Sequence, residues 1–369
     1  MLGETRMYNV KILGAGSIGN HLANASRRLG WNVTLCDKDP AALQRTKNEI
    51  YPSRYGQWDE SIQLFTSTEV PRGGFDLIFI GTPPDSHMDL AIQAIGEKPK
   101  AILVEKPLCT PALEKADELN RLAAETGVEV FVGYNHVVST AAEKAVELMP
   151  QLGSIETLDV EFREHWGGIF TAHPWLDGPQ DSYLGFWQKG GGASGEHSHA
   201  INLWQHFSRN LGAGRVTEVV ASLDYIKTGT VDYDKLCLLN FRTENGLVGR
   251  VVQDVITQPS RKWGRIQGKD GYVNISIGSE DLVQWAYGGN PEDELLIEKT
   301  RPDDFIAELK HVDETLKGVR GDSGISLECG LDTMLVVAAA HISNREGRRV
   351  LIDYSKGYSL DALKVEATQ

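Results

Sequence analysis

Three glycines, Gly14, Gly16 and Gly19, stand between two short apolar runs near the beginning of the chain. Residues 9–13 and 31–37 have the composition of strands, and the stretch between the glycines and residue 30 has that of a helix. In such a unit the first glycine permits a tight turn, the second lets the backbone approach a pyrophosphate, and the third lets the helix lie on the strand. The spacing predicts a dinucleotide-binding βαβ unit.

The residues around this turn are candidates for cofactor contacts. A helix amino terminus favours phosphate, so we expect Ser17 and Ile18 to contact the cofactor together with the glycines. Asp37 ends the second strand, where a carboxylate accepts hydrogen bonds from a ribose and repels a 2′-phosphate, which favours NAD over NADP. Alternatively, Asp37 caps the next helix, and the neighbouring Lys38 could partly neutralise a phosphate.

Further strands and helices alternate through the first half of the chain. Strands are predicted at residues 76–81, 101–105 and 129–133, and helices at 88–96 and 111–126. This alternation is typical of a doubly wound parallel α/β sheet, whose ligands gather beyond the carboxyl ends of the strands. The predicted cofactor-facing residues there are Thr82, Pro83, Pro84, His87, Glu105, Lys106 and Asn135.

The second half has longer alternating strands, predicted at residues 155–163, 216–225, 236–241 and 247–255. They indicate antiparallel pairing. A chain of 369 residues is long enough for two domains. We expect a Rossmann domain over residues 7–135 and a substrate-binding and oligomerisation domain over 136–369, with a helix near 326–344 packing back at the junction.

Composition narrows the classes of partner. The formal net charge of -14 disfavours nucleic acid and anionic membranes, and no apolar stretch has the length of a signal core or a membrane span. A cytoplasmic protein is therefore expected. The four cysteines are widely separated, which favours reduced thiols over a zinc site or disulfides.

Together these motifs resemble the family of glucose-fructose oxidoreductase, inositol dehydrogenase and rhizopine-catabolism proteins, Gfo/Idh/MocA. The resemblance rests on the glycine turn, Asp37 with Pro40, the Thr82-Pro-Pro turn with His87, Glu105-Lys106-Pro107, Gly133-Tyr134-Asn135, and a glycine run leading to His199. It implies a carboxyl-terminal α+β domain with an open-faced, largely antiparallel sheet that forms homo-oligomers, dimers or tetramers. It also implies that Lys106 lies between nicotinamide and substrate and that His199 acts as acid or base.

The physical chemistry of the candidate catalytic residues agrees with these roles. A cation after a sheet strand stabilises a developing alkoxide, which suits Lys106, while Glu105 is expected near the cofactor without a catalytic role. Glu196 lies three residues before His199, so on one helix its carboxylate would orient the imidazole and raise its pKa. The family's commonest pattern has an aspartate where this chain has Gly195, so Glu196 is its expected substitute.

Two alternatives remain at this cluster. His197 is a rival for the base, and the cluster of His197, His199 and Glu196 could suggest a metal, although its spacing matches no tight zinc motif and no metal is predicted. Aromatic residues precede the glycine run, and their faces either stack on sugar C–H surfaces or belong to the core: His165, Trp166, His173, Trp175, Phe186 and Trp187.

The resemblance implies an NAD-dependent oxidoreductase. The expected reaction is hydride transfer between nicotinamide and a secondary alcohol or ketone of a sugar, a sugar phosphate, a nucleotide sugar or a cyclitol. One alternative is an NAD-binding sensor or scaffold without catalysis. Another is a reductase of an imine or amino-acid-type substrate on a similar fold.

Overall fold

The computed structural model describes residues 7–171 and 175–367. The amino-terminal part forms a six-stranded parallel sheet in the order β3-β2-β1-β4-β5-β6. Its strands are β1 (Asn9–Leu13), β2 (Asn32–Asp37), β3 (Gln63–Thr66), β4 (Leu77–Ile80), β5 (Ala101–Val104) and β6 (Glu129–Val132). Its helices are α1 (Ser17–Arg28), α2 (Pro40–Arg45), α3 (Tyr51–Tyr55), α4 (His87–Ile95) and α5 (Ala116–Thr126), and a single π-helical turn joins α2 to α3.

The central strands of this sheet are apolar along their whole length. Every residue of β4 and β5 is buried, which is the pattern of a strand covered by helices on both faces. Because both flanks of each strand are covered, only the strand ends reach solvent. The predicted doubly wound α/β sheet is therefore confirmed, although α5 begins at Ala116, five residues later than predicted.

The second sheet has ten strands in the order β14-β13-β12-β11-β7-β10-β9-β8-β15-β16. All its pairs are antiparallel except β7 with β10, which run parallel, so the predicted largely antiparallel sheet is confirmed. The strands are β7 (Ile155–Arg163), β8 (Val216–Lys227), β9 (Asp232–Thr243), β10 (Val248–Asp254), β11 (Arg261–Gly268), β12 (Gly271–Ser276), β13 (Glu280–Tyr287), β14 (Asp293–Glu298), β15 (Val350–Ile352) and β16 (Leu363–Val365).

Further helices follow β6 along the chain. They are α6 (Thr140–Leu148), α7 (Trp166–Thr171), α8 (Gly192–Glu196), α9 (Ser198–Asn210), α10 (Arg301–Leu316) and α11 (Leu327–Glu346). Helix α11 is almost completely buried and contacts both β6 and β8, and the Val132 N–H donates to the Ile325 carbonyl just before it. Within the described residues, no helix is long and apolar enough to cross a membrane.

Candidate active site

The glycine turn has the geometry that a close phosphate approach requires. Gly14 has a φ of +103°, and a Cβ there would lie 2.7 Å from the Gly81 carbonyl oxygen. A Cβ on Gly19 would lie 1.9 Å from the Gly14 oxygen, whereas one on Gly16 would meet nothing within 4 Å. The first and third glycines are thus required by packing, while Gly16 leaves open space at the amino terminus of α1.

Asp37 lies at the end of β2 beside this turn. Its Oδ2 accepts the Ala15 N–H at 2.8 Å and its Oδ1 accepts the Asp39 N–H at 2.9 Å. The cap of α2 is Asp39, whose Oδ1 accepts the Ala41 N–H at 2.9 Å, so the alternative that Asp37 caps this helix is wrong. Each carboxylate oxygen of Asp37 keeps a second lone pair for a ribose hydroxyl.

A cavity of about 890 Å³ opens in front of Asp37. Predicted cofactor residues on its wall are Gly14, Gly16, Asp37, Lys38, Thr82 and Pro83. The volume is in the range of small-molecule sites. Because a carboxylate at the strand end and an open glycine at a helix amino terminus line one cavity, the residues present fit the adenosine half of a dinucleotide.

Other predicted cofactor residues lie behind the cavity walls. The His87 ring is fully buried, with Nε2 2.7 Å from the Thr82 carbonyl oxygen and Nδ1 3.0 Å from that of Pro107. His87 therefore joins the two loops, and its predicted direct contact with the cofactor is corrected to a supporting role. Pro84, Glu105 and Asn135 are buried too, and burial raises the pKa of the Glu105 carboxyl.

The predicted catalytic residues meet at a second cavity of about 1020 Å³. Ser17 and Ile18 of the glycine turn line it together with Lys106, Glu196, His197 and His199. The second half of the chain thus brings its histidines to the carboxyl end of β5. The arrangement places a proton acceptor and a cation beside the cofactor turn.

The Glu196 carboxylate lies on Lys106. Lys106 Nζ is 3.0 Å from Glu196 Oε2 and donates to the Glu196 carbonyl oxygen at 3.1 Å. The expected single helix is interrupted, because α8 ends at Glu196, His197 has non-helical dihedral angles, and α9 begins at Ser198. The prediction that Glu196 and His199 share one helical face is therefore wrong, although Glu196 does belong to the site.

His199 is packed among aromatic rings at the cavity wall. Its ring centroid is 5.5 Å from that of Tyr134, 4.5 Å from that of His136 and 6.4 Å from that of Phe162. Burial, then the neighbouring His136 and Lys106, lower the pKa of His199 well below its ordinary value. The predicted upward shift of this pKa by Glu196 is wrong, because that carboxylate lies on Lys106 and burial is the largest influence on the imidazole.

His197 is less accessible than His199. Its side chain is 3% exposed, its Nε2 has no hydrogen-bond partner among the described residues, and burial lowers its pKa to about 4. Gln253 donates to its backbone carbonyl from β10, which holds the interruption between α8 and α9. His199 is only half buried and lines the cavity, so it is the better placed of the two to meet a substrate.

Lys262 lines this cavity without any signal in the sequence motifs. His136 belongs to the loop after β6 that the sequence predicts to face the cofactor, whereas Lys262 of β11 forms an ion pair with Glu164 at 2.9 Å. Lys262 follows the glycine run by more than sixty residues. Only the pairing of β11 with β7 brings Lys262 to the histidines of this cavity. A charged residue in a strand does not by itself indicate which distant residues it will contact.

The aromatic residues before the glycine run divide between cavity and core. Trp175 lines the second cavity, whereas Trp166 is buried against Tyr233 with ring centroids 5.6 Å apart. Trp187 stacks on His341 at 4.4 Å. His173 lies outside the described residues. Within those residues, no group of three or more His, Cys, Asp or Glu side chains could hold a metal ion.

A strand–glycine turn–helix unit with an acidic residue at the end of the second strand defines a dinucleotide-binding Rossmann domain, and a cavity opens on either side of the glycine turn. Residues 8–134 match the family model described as "Oxidoreductase family, NAD-binding Rossmann fold" of Gfo/Idh/MocA proteins. This match confirms, over residues 8–134, the resemblance seen in the motifs: this part of the chain is an NAD-binding Rossmann domain of the Gfo/Idh/MocA type.

Solved structures share the fold over nearly the whole chain. A levoglucosan dehydrogenase in complex with NADH has a TM-score of 0.75 and 18% identity, covering 93% of this chain and 98% of its own. An oxidoreductase from Agrobacterium radiobacter, in complex with NAD+, L-tartaric acid and magnesium, has a TM-score of 0.74 and 18% identity. This similarity covers 94% of this chain and 98% of its own.

The WlbA dehydrogenase from Bordetella pertussis, in complex with NADH and UDP-GlcNAcA, has a TM-score of 0.69 and 20% identity, covering 94% of this chain and 99% of its own. At such identities these structures show the fold. None of the curated protein sequences compared with the chain matches it.

Proposed function

We propose that the protein transfers a hydride between NAD and a secondary alcohol or ketone of a sugar, a sugar derivative or a cyclitol. The observation that carries this proposal is the meeting of Lys106 and His199 in one cavity with Ser17 and Ile18 of the glycine turn. The levoglucosan dehydrogenase bound to NADH and L-sorbose, which has a TM-score of 0.74 to this chain, supports a sugar-like substrate.

Each proposed role follows from a side chain's position. NAD, when bound, supplies the carbon that accepts the hydride from the alcohol carbon. His199 is neutral at physiological pH because its pKa is lowered, so it is ready to accept the hydroxyl proton. Lys106 donates a hydrogen bond to the same oxygen as its negative charge develops, and the oxygen then becomes the ketone of the product. The proton on His199 passes to solvent.

Glu196 completes the proposed catalytic group by holding Lys106. Its carboxylate and its carbonyl oxygen both contact the lysine ammonium, so the ammonium is fixed at two points. A fixed donor needs less reorganisation in the transition state than a mobile one. Glu196 is therefore a positioning residue, and the same set of groups serves ketone reduction in reverse.

The test is a substrate screen with the purified protein. NAD is incubated with neutral sugars, cyclitols, sugar acids, sugar phosphates and nucleotide sugars, and the absorbance of reduced nicotinamide is followed. Turnover of at least one of these substrates is expected. If the protein binds NAD and oxidises none of them, and reduces none of the matching ketones, a sensor or scaffold role replaces this proposal.

We also propose a homo-oligomer built through the outer face of the second sheet. Val220, Leu238 and Val248 lie exposed on the adjacent strands β8, β9 and β10. Exposed apolar side chains on neighbouring strands favour contact with another protein surface. Light scattering should give the mass of a dimer or tetramer, and a monomer at micromolar concentration would contradict it. The cytoplasmic location stays a prediction.

A further inference from the structure

Ion pairs line the second cavity beside the histidines. Lys262 Nζ lies 2.9 Å from Glu164 Oε2, and the two side chains are 25% and 24% exposed. Both residues line the cavity together with His136 and His199. Each of the two groups therefore keeps part of its surface available to a bound molecule while it faces an opposite charge.

The strand pairing fixes where this ion pair lies. Lys262 is directly opposite Phe162 in the β7–β11 register, and Glu164 follows Phe162 by two residues. Phe162 and Lys262 consequently share one face of the sheet, and Glu164 reaches Lys262 from just beyond the end of β7. The Phe162 ring lies 5.3 Å from that of His136 and 6.4 Å from that of His199, and burial together with the Lys262 charge lowers the pKa of both His136 and His197. The pair thus adjoins the proposed catalytic histidine.

The other cations of the cavity have partners as well. Lys299 Nζ lies 2.9 Å from both Asp281 and Asp304, and Arg301 lies 3.2 Å from Asp304. Arg54 donates to the carbonyl and hydroxyl oxygens of Ser17, each at 2.9 Å, beside the glycine turn. With Lys106 held by Glu196, every ammonium group that lines this cavity has a carboxylate within 3.0 Å.

We propose that the cavity takes a neutral polyhydroxylated substrate and that Lys262 and Glu164 bind two of its hydroxyl groups as a pair. This inference rests on the proposed function and narrows its substrate class. A hydroxyl group is both donor and acceptor, so one hydroxyl accepts from the ammonium while its neighbour donates to the carboxylate. A substrate phosphate or carboxylate at the same place would lie against Glu164, and like charges repel strongly in a partly buried site.

The experiment compares matched neutral and acidic substrates. We would measure kcat/KM with NAD for glucose against glucuronate and glucose 6-phosphate, and for myo-inositol against its monophosphate. In each pair of substrates that the wild type turns over, kcat/KM for the neutral substrate should exceed that for the acidic one at least about fivefold. Glu164→Gln leaves Lys262 without its carboxylate. The ratio of kcat/KM for the neutral substrate to that for the acidic substrate should therefore fall at least about fivefold.

Two further variants separate specificity from folding. Lys262→Gln removes the donor to the hydroxyl, so kcat/KM for the neutral substrate should fall at least about fivefold without any gain for the acid. Asp224→Asn breaks the Asp224–Lys235 ion pair, also 2.9 Å long, in the same sheet but outside the cavity, and should leave the ratio unchanged. NAD affinity within about threefold of wild type shows that each variant is folded.

The outcomes distinguish this inference from the proposed function. A wild type that prefers the acid, or a folded Glu164→Gln variant whose ratio moves less than about fivefold, overturns the neutral-substrate inference and leaves sugar oxidation standing. If Glu164→Gln does not fold, the neutral-substrate inference is overturned when Lys262→Gln leaves kcat/KM for the neutral substrate unchanged. Absence of turnover with every sugar and cyclitol removes the proposed function itself.

Discussion

Lys106 Nζ lies 3.0 Å from Oε2 of Glu196, a residue ninety positions further along the chain. The contact joins the end of a parallel strand to the short helix α8 of the second half. It places the ammonium group at the second cavity with both side chains less than one fifth exposed. The proposed catalytic cation, Lys106, is thus held by Glu196, which the sequence pattern had predicted to orient His199.

We predict that Lys106→Met lowers turnover by at least about a hundredfold while NAD affinity stays within several-fold, because the ammonium acts on the reacting oxygen. Steady-state kinetics and cofactor titration measure the two effects. Loss of NAD binding with proportionate loss of activity would instead make Lys106 a structural anchor of the cofactor loop.

We predict that Glu196→Gln lowers turnover without moving the acid limb of the pH profile by more than about 0.3 unit. The carboxylate holds Lys106, and His199 takes its pKa from burial and from nearby cations. The check is kcat/KM between pH 5 and 9 for both proteins. A limb shifted clearly to lower pH would show that Glu196 acts on the histidine after all.

The lowered pKa of His199 sets the sign of the pH dependence. A base is active when it is deprotonated, so kcat/KM for oxidation should rise with pH and level off below pH 6.5, the ordinary histidine value. His199→Asn should lower activity about a hundredfold to ten-thousandfold and remove this limb. His197→Asn is the matched control and should cost less. The assignment is reversed if His197→Asn abolishes activity while His199→Asn keeps both activity and limb.

We predict that Asp37 sets the preference for NAD. Its two oxygens are oriented by backbone donors from Ala15 and Asp39, so the charge is fixed where a 2′-phosphate would lie. Asp37→Ser should lower the ratio of NAD affinity to NADP affinity at least about tenfold, mainly because NADP binds more tightly to the variant. Equal affinity of the wild type for both cofactors would contradict this placement.

We predict that Asp332→Ala lowers the free energy of unfolding by about 3 kcal/mol, because it leaves two arginines without their buried carboxylate. The Asp332 side chain is fully buried, contacts Arg209 and accepts from Arg215 Nε at 3.0 Å. Denaturant unfolding measures the change. Glu125→Ala, which breaks an exposed ion pair with Arg121, is the control and should leave stability nearly unchanged. Equal stability losses in the two variants would refute the role of Asp332.

The first half of the chain was largely predictable because its signals are local. Gly14 and Gly19 stand where any side chain would collide with backbone, and the parallel strands are short apolar runs. The positive φ of Gly14 and the contact of Gly19 with Gly14 are local constraints, so the spacing alone reports them. Lys106 and His199 were also predicted to lie together, because each belongs to a motif of neighbouring residues, and both line the second cavity, although their catalytic roles stay a prediction.

The sequence by itself determined the parallel sheet, the glycine turn and the residue types of the site. Only the tertiary structure decided which groups meet there. The interruption at His197 directs Glu196 to Lys106, and the β7–β11 register brings Lys262 to Glu164 and to the histidines. A helix end and a pairing between distant strands depend on packing against the rest of the molecule. Local spacing therefore cannot specify either of them.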